Sequence, residues 1–349
     1  MNIRPILLGC GLMLVTAASA NDQQAFEAAY KAYGEAVAAQ QFHAALEPAA
    51  EARRIGESLY ADDPETTATL VFNHGFVLGK ANRHDEAYRT LKRARKLMRE
   101  AFGDGAKEML NVELALLGSA PSNAVRRYMR QALKLAATHH PGDSKLIGDV
   151  KLQGGLRLWG QDSVSLLEQA AQAYEAAGDE RGYALGEFWI GKKHFVNRNY
   201  RRVPEHLNAA IEALPEGHHL ALMAHAHLVE VHEELGQSDR ATKHCLAIGR
   251  TKPWTGNDDY LPLFKRAPEY PRSAATRDLE GFVLLEFTVD EMGFVRKPTV
   301  VDSKGGKVFP RPAREAAKEF RYAPRLVDGK AVPVPEVRNR IVFMMRPGG

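Results

Sequence analysis

The chain has 349 residues, 45% hydrophobic and 26% charged, an ordinary globular composition with material for more than one core. Its formal net charge of only +4 excludes the polyanion-wide electrostatic footprint of a nucleic-acid binder. Two cysteines, Cys10 and Cys245, exclude a disulfide-built scaffold.

Residues 1–20 read as a secretory signal. Arg4 supplies the positive start, residues 6–15 the apolar run, and Ala18-Ser19-Ala20 the small-x-small cleavage site. The run is broken by Gly9 and Gly11 and is too short to cross roughly 30 Å of hydrocarbon. The expectation is cleavage after Ala20 and residence in the periplasm. Retention as an inner-membrane anchor, or lipidation at Cys10 in Leu7-Leu8-Gly9-Cys10, are the alternatives. After cleavage Cys245 stands alone in an Ala-rich helical stretch, as a buried inert thiol would.

Residues 21–255 carry apolar residues at helical spacing with almost no β-branched alternation. A short polar turn followed by a small residue recurs, ending at Ala45, Ala87, Ala124, Val164, Val203 and Ala241. The intervals are 42, 37, 40, 39 and 38 residues, and a period near 40 with two helices per unit predicts an α-solenoid. Pro64, Pro141-Gly142, Pro215-Glu216-Gly217 and Lys252-Pro253 fall between helix pairs, where breakers belong. Leu78-Gly79 with Ala87, and Leu235-Gly236 with Ala241, resemble tetratricopeptide repeats. Trp159-Gly160 and Val203 match that pattern loosely, and the period is longer than the usual one. Such a concave array implies a peptide or protein partner and no chemistry.

The polar cluster Trp254-Thr255-Gly256-Asn257-Asp258-Asp259 marks a linker at 256–263, and a small domain follows at 264–346. In it Val283, Leu285, Phe287 and Val289 alternate with Glu286, Thr288 and Asp290, the period of a half-buried strand. Asp290-Glu291-Met292-Gly293 predicts the hairpin turn, with Gly293 at positive φ. Residues 294–302 return as a second strand, and Pro298 assigns it an irregular or edge position. Phe309, Ala313, Ala316, Ala317 and Phe320 share one helical face, and Pro324 is read as the helix stop. After the Asp328-Gly329 turn, Val337, Ile341, Phe343 and Met345 alternate with Arg338, Arg340, Val342 and Met344. The fold class expected for the whole is α+β: a helical solenoid, then a β-β-α-β module. The module holds 17 Lys and Arg against 11 Asp and Glu from Phe264 onward, so a mildly acidic array carries a basic tail.

Tyr270-Pro271, Glu280-Gly281 and Phe320-Arg321-Tyr322-Ala323-Pro324, spaced over about 80 residues, resemble the C-terminal domain of the TonB family of energy transducers. That resemblance implies an open last strand that captures an extended peptide by β-augmentation, main-chain bonds giving the affinity. Carried over, the partner-binding residues are Tyr270, Pro271, Arg338, Asn339, Arg340, Ile341, Val342, Phe343 and Met344. Tyr270 and Tyr322 are also read as core aromatics, and Arg338 and Arg340 as edge-protecting charges. Family transducers begin with an uncleaved anchor and a Pro-rich spacer, whereas this chain is read as having a leader and repeats. The function expected is therefore an exported interaction protein linked to envelope transport, and a membrane-anchored transducer for outer-membrane receptor transport is the alternative. Partners are proteins or peptides, outer-membrane transport components among them, or a second copy through the open edge.

No enzyme is expected. His232-Glu233 lacks the second His of a zinc-protease motif, and Gly305-Gly306-Lys307 lacks phosphate-loop spacing. His218, His225 and His232 recur every seven residues and share a helix face. They are read as titrating imidazoles on a polar face, with no metal and no cofactor.

Overall fold

The computed structural model describes residues 17–251 and 260–345. Most of the leader and the 254–259 turn cluster lie outside the described residues. The chain divides into two compact units, 1–186 and 187–349. The expected array therefore contributes helices to both.

The first unit is built of antiparallel helix pairs. They are α1 (Ala17–Ala38) with α2 (Leu46–Leu59), α3 (Pro64–Lys80) with α4 (His84–Phe102), α5 (Glu108–Ser119) with α6 (Ser122–His139), and α7 (Ser144–Arg157) with α8 (Gly160–Ala176). The starts of α3 and α7 are chemically marked. Asp63 accepts from the Thr66 N–H at 3.1 Å with Pro64 in the first turn of α3, and Asp143 accepts from the Leu146 N–H at 2.9 Å at α7. In the first two pairs the chain reverses through a left-handed residue, Gln40 (φ 57°) and Asn82 (φ 63°). The core runs through Phe72, Phe76, Leu91, Met98, Leu116, Tyr128 and Val150. Inside it Arg95 donates to Glu113 at 2.5 Å; Glu113 is 1% exposed, and burial raises its carboxyl above the usual range despite that partner.

The second unit begins within α9 (Glu180–Val196) and continues through α10 (Val203–Glu212), α11 (His219–Glu234) and α12 (Ser238–Thr251). A short α13 (Arg272–Ala275) then precedes β1 (Gly281–Val289), β2 (Val295–Lys304), α14 (Pro310–Lys318), β3 (Arg325–Val327), β4 (Lys330–Val332) and β5 (Val334–Phe343). β1 is central in the antiparallel order β2-β1-β5. Its Val283, Leu285, Phe287 and Val289 are buried beneath α14, whose Ala313, Ala316 and Ala317 meet them together with Phe309 and Phe320. The apolar alternations are thus met as expected, except that Met345 is 39% exposed because β5 ends at Phe343.

Two details differ from the sequence reading. The helix ends at Lys318, well before Pro324, because residues 320–322 turn away to pair with Phe264 and Phe294. A separate hairpin, β3–β4, stands between α14 and the last strand. Its Asp328 (φ 49°) and Gly329 (φ 75°) are both left-handed, the backbone of a type I′ turn.

Candidate functional site

β5 forms one border of the sheet. Its register against β1 runs unbroken from Gly281↔Phe343 to Phe287↔Val337, and among the described residues no strand pairs with its other side. That side therefore presents a row of main-chain donors and acceptors over seven residues. β2, at the opposite border, is irregular. Register shifts interrupt it twice, Lys297 has φ 50°, and Pro298 offers no N–H, all features that discourage pairing.

The sequence-expected residues sort by role. Arg338, Asn339, Arg340, Ile341, Val342 and Phe343 lie on β5, and Met344 follows it directly. Arg338, Arg340, Val342 and Met344 are exposed, whereas Ile341 and Phe343 face the core at 4% and 2% exposure. Arg338 is bound to Glu286 at 2.8 Å. The Arg340 guanidinium lies over the Phe282 ring at 3.8 Å, and Asn339 accepts from Lys265 at 2.9 Å. Tyr270 packs edge-on against Phe309 and Phe343, and its hydroxyl donates to the Leu279 carbonyl at 2.6 Å. It therefore supports the end of β5 from below. Pro271 caps α13 beside it.

The motif residues also acquire physical reasons. A Cβ on Gly281 would stand 1.9 Å from the Lys304 carbonyl oxygen, so only glycine lets β1 and β2 close at that point. Glu280 accepts from the Met345 N–H at 2.8 Å, tying down the end of the last strand. Gly293 has φ 84°, as expected of the hairpin turn, and its carbonyl accepts from the Tyr322 N–H at 3.0 Å.

Sequence reasoning missed Arg321. It is 1% exposed and, from the sheet domain, reaches the last helix hairpin. Its guanidinium binds Glu233 on α11 and donates to Thr242 Oγ1 on α12 at 2.7 Å. The Phe294 ring lies 3.7 Å from its carbon. Its backbone pairs with Phe264, which packs on Val229, Ala241 and Cys245. Beside it Arg266 bridges Glu234 and Glu319. The signal available was a charged residue inside an otherwise aromatic motif; its partner lies 88 positions away in sequence, beyond the reach of any local pattern.

The second unit thus holds a helix-backed three-stranded sheet with one regular open border, pinned to a helix hairpin. Residues 266–345 match the family model for the Gram-negative bacterial TonB protein C-terminal, so this chain carries a TonB-type C-terminal domain behind a helical region. The domain is 36% identical over 76 residues to a protein TonB of Pseudomonas aeruginosa, covering 22% of this chain and 22% of that protein. It is 37% identical over 67 residues to a protein TonB of Vibrio cholerae, covering 19% of this chain and 27% of that protein. The chain thus spans about a quarter of the length of the curated relatives it matches. The solution structure of the Pseudomonas aeruginosa TonB C-terminal domain aligns at 30% identity with a TM-score of 0.23, over 27% of this chain and 93% of that one.

Proposed function

We propose that this protein serves envelope transport by capturing an extended segment of a partner protein as an added strand on β5. The observation that carries this reading is the unbroken register of β5 on β1 beside an unpaired outer border. Two dissimilar borders favour one orientation of capture over end-to-end self-assembly. The helix pairs, read as tetratricopeptide-like, hold a second partner. A cleft of about 330 Å³ lined by Phe76, Lys80, Ser119, Leu152 and Gln153 supports that role. Residence in the periplasm after cleavage at Ala20 completes the reading; fractionation with N-terminal sequencing checks it, and a membrane-bound species that keeps Met1 overturns it.

The strand-capture test uses isotope-labelled protein and a panel of peptides from the periplasm-facing segments of outer-membrane receptors. Binding is expected to perturb the amide signals of residues 337–343. Arg340→Pro and Ile341→Pro, at adjacent residues whose N–H groups point to opposite borders of β5, should between them abolish it while helical circular dichroism persists. Perturbations confined to α14, or undiminished binding by both variants, would sink the assignment to β5.

A further inference from the structure

The hairpin that seats Arg321 holds three imidazoles in its own packing. His225 on α11 and His244 on α12 meet Nδ1 to Nδ1 at 2.8 Å, with ring centres 5.1 Å apart. At that distance one nitrogen donates and the other accepts, so protonating both destroys the bond and sets two cations edge to edge. His232, 3% exposed, stacks on the His244 ring at 5.5 Å and 5°. Its Nδ1–H is committed to Gln237 Oε1 at 3.0 Å. His218, expected on the same face, instead caps the start of α11.

The cations of α12 oppose a proton, and one carboxylate, Glu233, favours it at His232. Lys243 and Arg240 on α12 add positive potential toward His244 and His232 respectively. The cations that the sheet domain packs on this hairpin are Arg321, seated on Glu233 and Thr242, and Arg266, held by Glu234 and Glu319. From α9 comes Lys192, bonded to His227 and near Glu230. Glu233, the carboxylate beside His232, is occupied by Arg321 and the Ser238 hydroxyl. Burial, then the neighbouring imidazoles, hold His244 down at about 3, and burial lowers His225 and His232 as well.

We propose that this imidazole cluster is an acid-sensitive latch: protonating the His225–His244 pair parts α11 from α12 and frees the sheet domain from the seat that Glu233 and Thr242 make for Arg321. The seat cannot outlast the hairpin, because Glu233 comes from one helix and Thr242 and Ser238 from the other. The latch is independent of whether β5 binds a peptide. The sign follows from linkage. The folded pKa values lie below the ordinary imidazole value, so the open state binds more protons and gains ground as pH falls below about 6.5.

Cys245, fully buried on α12 against Phe264, reports the opening. The full chain is treated with 4,4′-dithiodipyridine, and the Cys245 peptide is quantified by mass spectrometry against the urea-unfolded chain at the same pH. Between pH 7.5 and 5.0, each imidazole that must ionise contributes about thirtyfold to loss of protection. The wild-type loss is expected to exceed that of the His225→Gln/His244→Gln variant by at least about tenfold; a smaller excess overturns the latch. Nitrogen NMR of the wild-type imidazoles covers a variant that fails to fold. His244 is expected to ionise only in step with the loss of Cys245 protection, and His244 ionising near its ordinary value with protection intact overturns the proposal.

Discussion

At the scale of single residues, Arg321 shows how one buried charge joins two parts of a chain. Its guanidinium is out of water and its main partner Glu233 nearly so, at 1% and 10% exposure. Removing one member of such a pair leaves the other desolvated and unpaired, so Arg321→Met is expected to cost about 3–5 kcal/mol in urea unfolding of the second unit. Adding Glu233→Gln to that variant should recover part of the loss, since the stranded carboxylate goes with it. A double variant less stable than Arg321→Met alone would count against the pair as the organising contact. Gly281→Ala drives a Cβ into the Lys304 carbonyl and should cost about 3 kcal/mol by forcing β1 and β2 apart, checked by the same unfolding curve.

At the scale of elements, the two borders of the sheet differ in kind. β5 keeps an unbroken register from Val337 to Phe343, while β2 carries Lys297 in a left-handed conformation immediately before Pro298. Such irregularities protect a strand against edge-to-edge association. Pro298→Val should restore a donor there, and light scattering should then show concentration-dependent self-association absent from the parent. If the variant stays as monodisperse as the parent, protection of that border lies elsewhere. The alternation of β1 and the apolar face of α14 were legible in the sequence, because periods of 2 and 3.6 directly encode which face is buried. The β3–β4 hairpin was not, since three-residue strands are too short to establish a period.

At the scale of the whole molecule, both units carry imidazoles that folding keeps neutral. Burial holds His74 in the first unit at about 4, and His227 and His244 in the second at about 4 and about 3. Each folded value lies below the unfolded one, so stability is complete at neutral pH and declines as pH falls through about 6.5 toward the folded values. Each such imidazole removes at most about 1.4 kcal/mol per pH unit. The second unit, with more of them, should lose stability more steeply between pH 6.5 and 5, followed by tryptic release of fragments from each unit. Glu113 and Glu230, raised by burial, act in the opposite sense at lower pH. Equal acid sensitivity of the two units would refute the assignment.

What the sequence determined by itself is local and periodic. The helix pairs, the turn residues, the two strand alternations and the spaced Tyr-Pro, Glu-Gly and aromatic-Arg-Tyr-x-Pro motifs are each written within a few turns of chain, where propensity and burial pattern act. The tertiary structure alone decided which residues from distant stretches meet. It placed His244 between two imidazoles of another helix, made Tyr270 a support for β5, and seated Arg321 on Glu233. Those pairings arise from packing between elements, and no local period records the partner of a buried side chain on another element.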